Sequence, residues 1–285
     1  MGKDLKGKEL GWRKLSQLNL VILQDAFNQL ATDTMREDCK SLLVDMLNRA
    51  VETELLNKNI AFGINTIIDN EEKEEKRILS NKEIDILLET SKGGQTYAFF
   101  IVALGTGMRM GEILGLTWDC IDFQHNAIYI NKQLQKTKKV GGTYCLASTK
   151  NSRNRTILTA PSVMALLRKQ KSQQAQMRLL AGEAWNNSWN LVFTNELGGH
   201  LCHCTVYKKF KAIVRELGMP EERFHDLRHS FAVASIESGD DIKTVQSNLG
   251  HATASFTLDV YGHVSQKMRQ QSADRMEEFI QKVSG

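Results

Sequence analysis

The stretch Phe224–Val264, FHDLRHSFAVASIESGDDIKTVQSNLGHATASFTLDVYGHV, decides how the rest of the chain is read. It consists of short helical runs closed by Gly239, Gly250 and Gly262, and Asp240 or Asp241 is placed to cap a helix that buries Ile242, Val245 and Leu249. Within it stand His225, Arg228, His251 and Tyr261. His225 and Arg228 are three apart, so on a helix they share one face. His251 directly follows Gly250, a helix stop, so its ring projects from a rigid turn. Each of these residues also has an ordinary structural role open to it: a histidine ends a helix through a hydrogen bond, and a buried tyrosine has its hydroxyl satisfied. With Arg109, upstream in TGMRMGEILGLTW (106–118), they make two guanidiniums, two imidazoles and a phenol, a set suited to attacking a phosphodiester without a metal.

The rest of the 285-residue chain is long enough for one large domain and a smaller one. A hydrophobic fraction of 41% and a charged fraction of 25% are those of an ordinary globular protein. No apolar run has the length of a membrane span, and the Lys-rich start MGKDLKGKEL has no apolar core of a signal peptide, so a cytoplasmic protein is expected. Cys39, Cys120, Cys145, Cys202 and Cys204 are scattered and odd in number, which fits reduced thiols.

Charge is unevenly placed. Residues 1–76 hold 11 Lys/Arg against 14 Asp/Glu, and the remainder holds 26 against 19. The sixty residues Phe123–Gly182 contain no acid and eleven bases, among them Lys132, Lys136, Lys138, Lys139, Lys150, Arg153 and Arg155. Surfaces normally mix signs, so a one-sign stretch of this length points to a phosphate-rich partner.

Periodicity gives a mainly helical chain with a small sheet. Asn19 is positioned to cap a helix through Leu20, Leu23, Phe27 and Leu30, and Thr34–Glu37 reads as a capping box for a long amphipathic helix through Leu42–Leu55. DNEEKEEK at 69–76 reads as a linker between a helical domain at 1–68 and a larger domain at 77–285. Ser80–Glu83 is a second capping box, Tyr97–Leu104 a buried helix, and Gly105–Arg109 a tight turn into the next helix. Ala127–Ile130 and Arg155–Leu158 read as strands with a turn at Gly141-Gly142, and Leu191–Phe193 as a third short strand. Helices are expected at Pro161–Leu180, at Thr205–Leu217 up to Gly218, and at Ser265–Val283.

In order along the chain, TGMRMGEILGLTW, STKNSRNRTI (148–157), HDLRHSFA (225–232), LGH (249–251) and DVYGHV (259–264) resemble the motifs of the tyrosine recombinase (phage integrase) family, and within it the integrases of conjugative transposons. The resemblance implies a mainly α catalytic fold with a small antiparallel sheet, preceded by a helical core-binding domain, here shortened at its N-terminus. It implies catalytic roles for Arg109, Lys150, His225, Arg228, His251 and Tyr261, the last as nucleophile. It further implies double-stranded DNA as the partner, a homotetramer on synapsed sites, and a C-terminal helix that packs on its own domain or on a neighbouring protomer. Thr205, Tyr207, Lys208 and Lys209 join the basic residues of the acid-free stretch as expected DNA contacts.

The chemistry agrees with those residue types. Two guanidiniums can clamp the non-bridging oxygens of a phosphorane with paired charge-assisted hydrogen bonds. Imidazole can take the phenolic proton, and Lys150 can protonate the departing oxygen. No cofactor or metal is required. His200–Cys204, HLCHC, supplies metal-type side chains, but no distant Cys pair completes a zinc pattern, and His229 is expected to brace the helix of Arg228. A DNA-binding regulator and a metal-dependent nuclease are the readings in other classes. The first has no use for Tyr261, and the second rests on the His/Cys clusters, His200–Cys204 and the i,i+4 pair His225 and His229.

Overall fold

The computed structural model describes residues 13–66, 79–93, 95–137, 142–149, 154–250, 273–274, 276–277 and 279–283. The chain divides into two compact units, Met1–Glu75 and Lys76–Gly285. The proposed linker 69–76 and the Gly141 half of the expected turn lie outside the described residues.

In the first unit, α1 (Leu20–Asn28) begins where the Asn19 side chain accepts the Ile22 N–H at 2.9 Å. Helix α2 (Asp33–Glu52) begins two residues earlier than the expected box. Thr32, in an extended conformation, accepts the Met35 N–H at 3.2 Å, which leaves Thr34 inside the helix and puts the Asp33 carboxylate on the first turn. The loop between the two helices is pinned by Arg36, which donates to the Leu30 carbonyl at 2.8 Å and the Phe27 carbonyl at 3.3 Å. Leu23, Phe27, Leu30, Leu47, Ala61 and Ile64 form the core of this unit.

The second unit is laid around α4 (Gln95–Thr106), which follows α3 (Asn81–Thr90). Helix α3 opens on the Ser80/Glu83 capping box. Helix α4 buries Ala98, Phe99, Phe100, Val102 and Ala103, and so is apolar nearly all round, as the sequence required. Phe99 meets Phe193 edge-on at 5.0 Å and Phe100 meets Phe210 at 5.9 Å. Each buried ring is worth about 1.5–3 kcal/mol of burial. Helix α5 (Met110–Leu114) leads to β1 (Ile121–Asp122) and β2 (Ala127–Ile130). Then come β3 (Lys132–Lys136), β4 (Tyr144–Ser148) and β5 (Arg155–Leu158). Strands β1, β2 and β5 form one antiparallel sheet with Ile128 opposite Ile157, while β3 and β4 pair as a separate hairpin with Leu134 opposite Leu146.

Helix α6 (Pro161–Ala181) starts with proline at its first position. The expected strand at Leu191–Phe193 is not one: the segment makes only an isolated bridge from Leu191 to Thr117, with a second from Thr194 to His200. Side chains of α6 do the work of a neighbouring strand. Gln174 donates to the carbonyls of Leu191 and Val192 at 3.0 and 3.1 Å and accepts from Trp118 Nε1 at 2.7 Å, and Gln170 donates to the Val192 carbonyl at 3.2 Å. Helix α7 (His203–Glu216) begins two residues before the expected Thr205, and α8 (Asp226–Glu237) and α9 (Ile242–Leu249) follow. Asp241, not Asp240, caps α9, and Gly250 closes it in the left-handed conformation. The described residues between 273 and 283 are helical. Among the described residues no helix is long and apolar enough to cross a membrane.

Candidate active site

The turn between α4 and α5 sets the first functional side chain. Gly107 has φ +61°, and a Cβ there would lie 2.4 Å from Phe231 Cδ1 and 2.8 Å from Leu249 Cδ2. Only glycine fits both the backbone and the space. Two residues on, Arg109 occupies the N-cap of α5 in extended conformation. Its backbone N–H donates to Glu112 Oε2 at 2.9 Å and its Nη1 to Glu112 Oε1 at 3.0 Å, while its side chain stays 35% exposed. Glu112 is the third helical residue, where a carboxylate reaches back to the N-cap N–H.

Arg228 comes from the first turn of α8 and is buried. Its Nη1 donates to the Gly107 carbonyl at 2.7 Å and its Nη2 to the Leu249 carbonyl at 2.5 Å. One guanidinium thus ties the turn before Arg109, 121 residues upstream of Arg228, to the end of α9. His225 stands at the N-cap of α8, its ring perpendicular to that of His229 at 4.9 Å. Part of His225 reaches solvent, yet the protein crowded around the ring pushes its pKa below the ordinary imidazole range. The charges of Arg228, Arg109 and Arg223 add to that, against an opposing pull from Asp226. His225 is therefore held neutral near pH 7, the form that can accept a proton. His229 is buried beside it.

Glu112 is 2% exposed and accepts a second guanidinium, that of Arg155, through Nη1 at 3.0 Å and Nη2 at 2.7 Å. Burial alone would raise its pKa, but the hydrogen bonds and charge of Arg155, with those of Arg109, outweigh it and hold the carboxyl below its ordinary range. Arg155 is a correction to the expected DNA surface. Its side chain is 7% exposed and turned inward, and its Nε donates to the Asn248 carbonyl at 2.7 Å. The period of β5 carries this signal, since Arg155 shares a face with buried Ile157 while Leu158 faces solvent. Glu112 gave a weaker one, as an acid at the third position of a short apolar helix.

The structure brings Arg109, His225 and Arg228 together. Lys150, His251 and Tyr261, with Lys138, Lys139 and Arg153, lie outside the described residues. Beside Arg109 a cleft of about 890 Å³ is lined by Gln133, Lys136, Tyr144, Ser148 and His203. Lys136 is exposed at it. Lys132 is partly engaged elsewhere, donating to Thr117 Oγ1 at 2.9 Å and Asp119 at 3.2 Å. The His203 ring stacks on Tyr144 at 6.0 Å, and burial pushes its pKa down. Thr205, Tyr207, Lys208 and Lys209 are exposed on α7, opposite buried Val206, Phe210 and Val214.

Two guanidiniums close enough to an imidazole to lower its pKa suit an anion whose charge grows during reaction. Residues 71–268 match the phage integrase family. A tyrosine recombinase XerC-like protein of Caldanaerobacter subterraneus is 30% identical over 97% of this chain and 75% of its own length. The ICEBs1 integrase of Bacillus subtilis is 28% identical over 64% of this chain and 48% of its own length. In fold the chain is similar to the Tn1549 transposon integrase solved with transposon right end DNA, at TM-score 0.78 and 18% identity, over 95% of this chain and 89% of that one. It is similar also to the XerH site-specific recombinase bound to its palindromic difH substrate, at TM-score 0.64 and 20% identity, over 92% and 74%. The match to the family over most of the chain, on a fold that sets Arg109, His225 and Arg228 in one place, shows that this chain belongs to the phage integrase family, the tyrosine-type site-specific recombinases that cleave and rejoin DNA strands.

Proposed function

We propose that this recombinase cleaves DNA with Tyr261 as nucleophile, assisted by Arg109, Lys150, His225, Arg228 and His251, in the integration and excision of a mobile element. The Tyr261 oxygen forms a bond to the scissile phosphorus and the bond to the 5′ oxygen breaks. His225 takes the phenolic proton, Lys150 supplies a proton to the departing oxygen, and His251 donates a hydrogen bond to the phosphate. Arg109 and Arg228 stabilise the charge that builds on the non-bridging oxygens. The 3′-phosphotyrosyl bond keeps the energy of the phosphodiester, so rejoining is the same step reversed with a new 5′ hydroxyl and needs neither ATP nor a metal.

The observation that carries this reading is the convergence of Arg109, Arg228 and neutral His225 from segments far apart in the chain. In this reading residues 1–68 form a clamp on the far side of the DNA, 69–76 link it to the catalytic residues 77–285, and the exposed face of α7 with Lys136 tracks the backbone. Met276, Phe279, Ile280 and Val283 are all more than half exposed. They would dock on a neighbouring protomer of a tetramer assembled on two synapsed sites in the cytoplasm. The test is a nicked suicide duplex carrying the element's end, incubated with protein in EDTA. A covalent DNA adduct is expected, and it should disappear in Tyr261→Phe. No adduct on the true site would refute the assignment.

A further inference from the structure

Arg155 has no part in the scheme above, yet its side chain touches two of the elements that build the site. We infer that Arg155 is a positioning residue for strand cleavage: by holding both Glu112 and the end of α9, it fixes where Arg109 and the turn at Gly250 stand. This rests on the catalytic reading just given.

The geometry divides into two grips. On one side Nη1 and Nη2 form a bidentate pair with both Glu112 oxygens, at 3.0 and 2.7 Å. The same two oxygens receive the Arg109 guanidinium at 3.0 Å and its backbone N–H at 2.9 Å. Glu112 therefore divides its charge between two guanidiniums. Arg109 engages it through Nη1 and keeps a partly exposed side chain at the cleft. Without Arg155, a buried carboxylate would have Arg109 as its nearest cation. The stable outcome is a full bidentate pair, which withdraws Arg109 donors from the phosphate.

On the other side Nε donates to the Asn248 carbonyl at 2.7 Å, next to the Leu249 carbonyl held by Arg228. Carbonyls in the last turn of a helix have no partner within it, and here two guanidiniums supply donors and complement the helix dipole. Gly250 follows with φ +63°, and a Cβ on it would lie 3.1 Å from Arg155 Nη1, so the guanidinium packs directly under the turn. In sequence that turn leads into His251 and then Tyr261. Lysine has the charge for either grip but not the planar fork for both at once.

The test uses the full chain and the suicide duplex, comparing the wild type with R155K and R155M. DNA affinity with its salt dependence is measured separately from the single-turnover cleavage rate at saturating protein. Positioning predicts a cleavage rate lower on the order of 10²-fold in both variants. The dissociation constant and its salt slope should stay near the wild type, and R155K should not rescue. In an E112Q background, R155M should add little, because the two residues act as one unit. A salt slope lower by about one in R155M would make Arg155 a phosphate contact and overturn the inference. So would a wild-type cleavage rate in the bound R155K complex, or R155M and E112Q effects that simply multiply. Should R155M fail to fold, R155K alone decides between these outcomes. A wild-type protein that forms no adduct would instead refute the Tyr261 assignment and this role with it, whereas a normal wild-type adduct unaffected by both variants sinks only the role of Arg155.

Discussion

Gly107→Ala is the perturbation that asks most of this structure. The methyl group would have to occupy a backbone at φ +61°, which costs a non-glycine residue about 1–2 kcal/mol. It would also overlap Phe231 Cδ1 at 2.4 Å and Leu249 Cδ2 at 2.8 Å, and forcing a group into packed space of this kind costs about 1–3 kcal/mol. The sum is about 2–5 kcal/mol, which at a urea dependence of ~2–3 kcal/mol per molar lowers the unfolding midpoint by roughly 0.7–2.5 M. Tryptophan fluorescence reports on the affected unit, because Trp118, Trp185 and Trp189 all belong to it. Gly218→Ala is the internal control: φ is +71° there but the Cβ would meet nothing within 4 Å, so only the backbone cost of about 1–2 kcal/mol applies. The two variants should also differ in activity, since the Gly107 carbonyl holds Arg228 at 2.7 Å and Gly218 touches no part of the site. If both variants shift the midpoint equally and cleave alike, the packing of the α4–α5 turn against Phe231 and Leu249 is wrong.

Other consequences are as direct. The low pKa of His225 places the acid limb of the cleavage rate below the ~6.5 of free imidazole. The same shift makes folding stability fall as pH drops below that unfolded-state value, where the unfolded chain binds the proton more readily; a pH–rate profile and urea midpoints from pH 5 to 8 check both signs. Glu112, depressed by its two arginines, contributes stability that is complete above the ordinary carboxylate range and is lost as pH falls through its folded value, a loss that E112Q should not show. Gln174→Leu removes the donors to two carbonyls and the acceptor of Trp118 Nε1, and should cost about 2–4 kcal/mol in urea unfolding with little change in cleavage by the folded fraction. Lys208→Ala should weaken DNA binding and lower the slope of log affinity against log salt by about one, a larger change than Lys132→Ala, whose ammonium is already shared with Asp119.

Much of the fold could be read locally, because its signals are local. Asn19, Ser80, Asp241, Pro161 and Gly250 mark helix ends through chemistry that acts within four residues, and each stands where that chemistry required. The α2 start was displaced because Thr32 and Thr34 both precede plausible helix, and backbone conformation, not residue type, chose between them. The strand expected at Leu191–Phe193 failed for a different reason. A short apolar run states that it is buried but not what satisfies its carbonyls, and here the partners are Gln170 and Gln174, some twenty residues away on a helix. At the site the same limit separates Arg155 from its neighbours. Composition placed it on the basic surface; only the face it shares with Ile157 and its Glu112 partner, 43 residues distant, turn it inward.

That distinction bears on how a few of the chain's 14 arginines would become reactive in the proposed scheme. Arg155 and Glu112 are both buried, and their charges are compensated where they stand. Arg228 is buried too, and the carbonyls of Gly107 and Leu249 orient its guanidinium. Arg109 is the partly exposed member, its Nη1 donating to Glu112 while the side chain lines the cleft. The carboxylate of Glu112 thus serves two cations, so the group of Arg109, Glu112 and Arg155 retains a surplus positive charge instead of closing into a neutral pair. A phosphodiester attacked by tyrosine gains negative charge at its non-bridging oxygens, and the donors that meet it must already be in place, since reorienting them during the reaction would consume the stabilisation they offer. The backbone carbonyls and the shared carboxylate are what hold those donors still. In the proposed scheme the turn at Gly107 and the end of α9 therefore share in the chemistry, by holding those guanidiniums in place.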